Sequence, residues 1–264
     1  MRPRARGDDF PWWLAAIGIL LAGAFAATLL DDGARQVLLT LRQGILVTVF
    51  VTVTAFALAS LLGLGVALMS LSGSVVARQA ARFYVEIVRG IPILVLLLYV
   101  AFVFAPALVA AWNMVAGWLG FEPVRTRDFT LLWRAILALV IAYSAFIAEV
   151  FRAGLQSVDR GQIEAAQALG LRRWHRFRHV VMPQAIRTIL PPLGNDFVAM
   201  VKDSSLVSVV GVLDIAQLGK LTAAGNFRYF ETYNVVALLY LTMTILLSLA
   251  LQRLERRLAR HGQH

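Results

Sequence analysis

Cysteine is absent from the 264-residue chain, and charged side chains make up only 15% of it. The first absence excludes disulfide frameworks, thiolate nucleophiles and Cys-containing zinc or iron–sulfur sites. The second, beside 59% hydrophobic residues and a mean hydropathy of +0.74, excludes an ordinary soluble globular protein. Histidine is scarce as well: His175, His179, His261 and His264 are all there is. His175 and His179 have the i, i+4 spacing of a shared metal, but no acidic partner stands near them. A solvated or headgroup-facing pair is expected, and no metal site. Also missing is G-x-x-x-x-G-K-[ST]: the one Gly-Lys pair, Gly219-Lys220, precedes Leu221 and lacks the upstream glycine. No phosphate cradle of the P-loop type can be assembled. Nor is there a nucleophile–base constellation, so no catalytic residue is assigned and no enzyme is expected.

What the chain has is apolar length. A hydrocarbon core ~30 Å thick needs roughly 20 consecutive apolar residues. Six stretches answer to this, at about 12–30, 44–71, 83–108, 131–151, 193–211 and 233–252. Trp12 and Trp13 open the first, as suits an interfacial aromatic belt. Asn195, Asp196, Lys202 and Asp203 interrupt the fifth, which is therefore expected to face protein or water inside a bundle. The first stretch has a competing reading as a secretory signal, given Arg2, Arg4 and Arg6 ahead of it. Its 19 residues exceed the ~7–15 apolar residues of such a signal, so a retained anchor is expected. The connecting segments 109–130 and 212–232 are too short to be domains.

A net charge of +10 invites a nucleic-acid reading, but its distribution argues against one. The basic residues cluster beside alternate spans: Arg2 to Arg6, Arg78 to Arg89, Arg152 to Arg187, and Arg253 to Arg260. By the positive-inside rule these segments are cytoplasmic, which places both termini and the 152–192 loop there.

That loop reads as two short helices. Asp159 with Gln162 resembles a capping box opening the first, which places Glu164 in its first turn, where negative charge suits the helix dipole. Gly170 suits the C-terminal cap. Ala165, Ala166 and Ala168 leave almost no side-chain bulk, so this helix can lie close in a groove of another protein. It is too short to stand alone. Beyond it, Leu171, Trp174, Phe177 and Val181 recur at helical spacing, with Arg172, Arg173, Arg176 and Arg178 between them. This predicts an amphipathic helix over 171–182 at an anionic headgroup surface. Pro183, Pro191 and Pro192 punctuate the return to the bilayer.

Residues 164–183 also carry a motif: EAAQALG, then nine residues, then VVMP. This is close to the loop EAA-x3-G-x9-I-x-L-P, and the chain resembles the membrane subunit of binding-protein-dependent ABC importers. Glu164, Ala165, Ala166, Gly170 and Pro183 match, while Val180 and Met182 stand where Ile and Leu are usual. Four further blocks look like the polar amino acid branch of that family: TLRQGILVTVFVTVT at 40–54, RGIPILVLLL at 89–98, AEVFRAGLQSVDRGQI at 148–163 and KDSSLVSVVG at 202–211. The resemblance covers roughly 37–257.

It implies an all-α, polytopic type I ABC importer permease fold, with five core transmembrane helices plus an extra N-terminal one. The tail and extra helix then occupy 1–36, the transmembrane domain 37–257 and a cytoplasmic tail 258–264. It implies a bacterial cytoplasmic (inner) membrane, a polar or charged L-amino acid as solute, and coupling to ATPase subunits through Glu164, Ala165, Ala166, Ala168, Gly170 and Pro183. No cofactor is expected in this chain, ATP and Mg being bound by the ATPase partners. The other implied partners are a second like or paralogous permease, membrane lipid, and an extracytoplasmic solute-binding protein. Segment 212–232, with Asp214, Lys220, Arg228 and Glu231, reads either as a docking surface for that protein or as an exposed connecting loop.

For the translocation path or gate the matching blocks supply Arg89, Gly90, Pro92, Glu149, Lys202, Asp203, Ser204 and Ser205. Arg89 is expected to snorkel from an early position in the third span, and Pro92 to free a carbonyl within it. Glu149 and Arg152, at i, i+3, are expected to form a local salt bridge. Lys202 and Asp203, being adjacent, face different ways and are expected to pair with other helices or with the second permease. The serines either line a polar path or bond back to the backbone. An ion-coupled carrier would use Lys202 and Asp203 as intramembrane ionisable groups, and a membrane scaffold would use the amphipathic loop, but neither accounts for the loop motif.

Overall fold

The computed structural model describes residues 12–260, with side chains up to Glu255. Arg2, Arg4 and Arg6, like His261 and His264, lie outside the described residues. The helices are α1 (Trp12–Leu30), α2 (Asp32–Ser70), α3 (Val75–Gly90), α4 (Ile93–Tyr99), α5 (Ala105–Leu119), α6 (Leu131–Gln156), α7 (Arg160–Ala168), α8 (Arg173–Arg176), α9 (Met182–Asp203), α10 (Ile215–Asn226) and α11 (Tyr229–Arg260). No strand occurs among the described residues. This is what an apolar solvent dictates, because a helix satisfies its own backbone polar groups.

Five stretches are long and apolar enough to cross a bilayer: α1, α2, Ile93–Leu119, α6 and Tyr229–Glu255. The α6 stretch is the centre of the bundle, with 67% of its most apolar 18-residue window buried, against 6% of the corresponding window of α1 at the periphery. Leu139, Ile136 and Ile147 of α6 sit in the main core with Val51 of α2 and Leu97 of α4. A second cluster joins Val37 and Leu41 of α2 to Ile215 of α10 and Val235 of α11. Close crossing needs small residues, since lipid offers no hydrophobic drive between helices. At Gly63 of α2 an added Cβ would come within 2.9 Å of the Ser144 carbonyl oxygen of α6.

The contacts also show how the chain runs. Phe50 meets Trp133 with ring centres 6.1 Å apart, and Gly63 lies against Ser144 and Ile147, so α2 and α6 are parallel. Arg228, at the start of α11, lies beside Gly33 at the start of α2. The chain must therefore cross back between the end of α6 and the start of α11. It does so through α9 and the 3-10 turn Ser204–Val210: Ile189 packs on Gly154, and Asp203 reaches Tyr143. At 22 residues and about 1.5 Å per residue, α9 is long enough for the task. Its polar residues exclude it from the apolar set but not from the crossing.

Three span boundaries differ from the sequence expectation. The second helix begins at Asp32, not near 44, because Asp31 caps it by accepting the Ala34 N–H at 2.8 Å. The third span does not begin near 83. Tyr84 of α3 bonds the Ile141 carbonyl and the Ser144 hydroxyl, and Arg89 sits over Phe146, so α3 lies across α6 without advancing through the bundle. A break at Ile91-Pro92 follows, and the crossing starts at Ile93. Pro92 is thus a helix N-cap, not an interior kink. The fifth crossing is helical from Met182 and ends in a 3-10 turn, with Pro191 and Pro192 held inside α9 rather than breaking it.

Candidate coupling site and polar path

The short helix α7 hangs from the ends of two crossings. Val158 just before it and Ile163 within it pack with Ala185 and Ile189 of α9 and Leu155 of α6. Asp159 caps the helix through the Gly161 N–H at 2.6 Å, rather than through Gln162 as the capping box would require. Because α7 starts at Arg160, Glu164 falls in the second turn, and Asp159 alone supplies the negative charge at the N-terminus.

The C-terminus closes as a Schellman motif: the Leu171 N–H donates to the Ala166 carbonyl at 3.1 Å and the Gly170 N–H to the Gln167 carbonyl at 2.9 Å. Gly170 has φ +76°, a left-handed conformation that costs other residues. Ala166 is buried against the chain, whereas Glu164, Ala165, Ala168 and Gly170 are exposed and Leu169 is 81% exposed. One small-residue face of α7 is therefore open to a partner.

The second helix of the loop begins at Arg173, after Leu171, and does not stop at 182. α8, a π turn over Phe177–Val181 and α9 run on without interruption. The widened turn relieves the clash Pro183 would otherwise make one turn back. Arg176 donates to the Gln167 side chain of α7 at 3.0 Å. His175 and His179 are exposed and stack at 6.0 Å, and no group of three or more His, Asp or Glu suited to a metal occurs among the described residues.

The proposed path residues fall into two groups. Towards the α7 end, Arg89 at the end of α3 lies 5.4 Å from the Phe146 ring centre, and Arg152 donates to both Glu149 oxygens, one at 3.1 Å. Gly90 and Pro92 are exposed at the α3–α4 break. Deeper, the Tyr143 hydroxyl donates to Asp203 at 2.7 Å, so Asp203 pairs within its own chain. Lys202 points elsewhere and is exposed. Ser204 is buried and bonds back to the Val201 carbonyl at 2.8 Å, while Ser205 is half-buried.

Sequence reasoning missed three residues. Asp196 stands two turns before Asp203 on the same helical face, half-buried, with one carboxylate oxygen buried and without a hydrogen-bond partner. It had registered only as an interruption. Tyr143 carried no signal beyond its apolar setting. Arg134, which belongs to none of the basic clusters, is buried and donates to the Phe129 carbonyl at 2.7 Å, to the Thr126 carbonyl and to the Ala101 carbonyl at 3.3 Å. It ties the 120–130 connection and the start of α6 to the π turn Val100–Phe104 between α4 and α5.

Segment 212–232 needs one correction as a docking surface. Asp214 is fully buried, accepting from the Gln217 N–H and the Tyr240 hydroxyl, while the Ile215 N–H donates to Thr48. It fastens α10 to α2 and α11 and offers nothing outward. Lys220 and Arg228 are exposed, and Glu231 is partly so.

A parallel α2–α6 pair, a polar crossing sheltered behind it and a short helix hung from its ends define a polytopic membrane transport subunit of the type I importer architecture. The chain belongs to the family described as the binding-protein-dependent transport system inner membrane component, whose model matches residues 59–261. It is a transport component, not an enzyme. The glutamine transport system permease protein of Escherichia coli strain K12 is 35% identical over 216 residues, covering 82% of this chain and 91% of its own. A probable glutamine ABC transporter permease protein of Bacillus subtilis is 38% identical over 211 residues, covering 80% and 89%. Among solved structures, an amino acid ABC transporter crystallised with histidines aligns at TM-score 0.69 with 35% identity, over 83% of this chain and 94% of that one.

Proposed function

We propose that this chain is the permease subunit of an ATP-driven importer for a polar or charged L-amino acid, with both termini in the cytoplasm. The observation that carries the reading is α7, a nine-residue helix held on one side by its own chain and open on the other. Among the described residues none covers that open face. A pair of ATPase subunits, binding ATP and Mg, seats there, and a second permease subunit completes the central path. Approach of the ATPases displaces α7. The displacement reaches α6 and α9 through Val158, Ile163, Ala185 and Ile189 and changes which side of the membrane the path faces.

Asp196, Asp203, Lys202 and Ser205 supply the polar lining of that path, and Arg89 with Glu149 stands at its inner mouth. The names of the relatives point to glutamine among polar amino acids. A solute-binding protein delivers it to the outer face near Lys220 and Arg228. The test is co-purification: Glu164→Lys and Gly170→Asp should lose the ATPase subunits while the chain still inserts. Retention of assembly and of solute-stimulated ATP hydrolysis in both variants would refute the coupling role.

A further inference from the structure

Between Glu164 and Asp196 the chain has no acidic residue, yet it carries Arg172, Arg173, Arg176, Arg178 and Arg187. The helix running unbroken from Arg173 to Asp203 makes this cationic stretch the direct continuation of a bilayer crossing. An exposed stripe follows it at helical spacing, from Arg172 through His175 and Arg178 to Met182 and Ile186, the last two each 38% exposed. Guanidinium gives way to thioether and branched alkyl within about one turn. On a helix leaving a membrane, such a change marks the level where water meets hydrocarbon. Trp174, 63% exposed and stacked on Phe177 at 5.9 Å, sits on the cationic side of that level.

We propose that Arg172, Arg173 and Arg178, with Trp174 beside them, bind the phosphodiester headgroup of an anionic phospholipid. Charge complementarity selects the occupant. Met182 and Ile186 on the same face suit hydrocarbon directly above, and an anion attached to that hydrocarbon is then the one that meets the arginines. Basic residues at this level gain from an anionic leaflet, whereas a zwitterionic headgroup offers no net attraction. Arg176, turned inward to Gln167 of α7, links the lipid-held segment to the coupling helix. Anionic lipid therefore sets the resting position of α7. This regulatory half rests on the coupling reading above, and the lipid binding itself does not.

The test reconstitutes the full chain into vesicles containing spin-labelled phosphatidylglycerol or spin-labelled phosphatidylcholine and measures the motionally restricted fraction of each. The wild-type chain should hold phosphatidylglycerol in excess. In the triple variant Arg172→Gln, Arg173→Gln, Arg178→Gln that preference should fall roughly tenfold or more, and the matching Arg→Lys triple should keep most of it. An equal preference in the wild type and the Gln triple overturns the proposal. So does displacement of the labelled lipid by inorganic phosphate alone, which would mark a soluble-anion site. If the Gln triple instead loses its ATPase subunits in neutral detergent, the face is a protein contact and the proposal fails. With the lipid preference intact but Glu164→Lys still coupled, only the coupling reading falls.

Discussion

Asp214 is a single residue whose surroundings settle what its replacement should do. Its carboxylate is fully buried, caps α10 and accepts from Tyr240, and burial pushes its ionisation upward from the ordinary carboxylate range. The folded chain thus holds the proton more tightly than the unfolded one. Its contribution to stability is greatest in acid and declines as pH rises from the unfolded value through the raised folded one. Asp214→Asn keeps an acceptor without the buried charge and should flatten that dependence with little loss at neutral pH. Asp214→Leu orphans the Tyr240 hydroxyl and the Gln217 N–H and should cost about 1–3 kcal/mol. Thermal unfolding in detergent across pH separates the two.

Gly170 gives a ranked prediction at the same scale. Among the described residues nothing lies within 4 Å of where its Cβ would be, so within the chain itself only its φ of +76° resists substitution. Gly170→Asn should preserve ATPase assembly better than Gly170→Val, since asparagine visits the left-handed region and a β-branched residue does so at about 1–2 kcal/mol. The reverse order in quantitative co-purification would show that bulk, not backbone, governs the site.

Among elements, the α2–α6 contact is the one on which the bundle is built. Gly63→Val would drive a side chain against the Ser144 carbonyl, whereas Gly65, two positions on, has nothing within 4 Å among the described residues. The first substitution should destabilise by about 1–3 kcal/mol and the second barely at all, as read from thermal unfolding in detergent. How much was legible in the sequence also divides at this scale. Long apolar helices such as α6 and α11 announce themselves, because length and hydropathy are local properties. The α3–α4 break did not, since Arg89-Gly90-Ile91-Pro92 reads equally as a kinked span and as a turn. Only the contacts of Tyr84 and Arg89 with α6 decide between them. In the 152–192 loop, Gly170 and the alanines were readable because caps and small faces are sequence-local. The partner of Asp203 was not, because Tyr143 lies 60 residues away and no spacing rule joins the two.

For the whole molecule, the crossing by α9 fixes which ends share a side. Leu169 and the end of α11 lie on one side of the bundle, and Asn226 and the start of α2 on the other. Because the chain has no cysteine, Leu169→Cys and Asn226→Cys each give one clean target for a membrane-impermeant thiol reagent. In intact cells only the Asn226→Cys protein should label, and in inverted vesicles only Leu169→Cys. Labelling of both from one side would contradict the six-crossing path.

The most direct measurement is a cross-link from the open face of α7. Ala168→Cys, labelled with a short thiol-directed photoactivatable cross-linker and assembled with its ATPase subunits, should on illumination join the permease to an ATPase, with a yield that changes when ATP is added. An assembly that hydrolyses ATP in response to solute, carries a reactive Cys at position 168 and yields no such product would contradict the account.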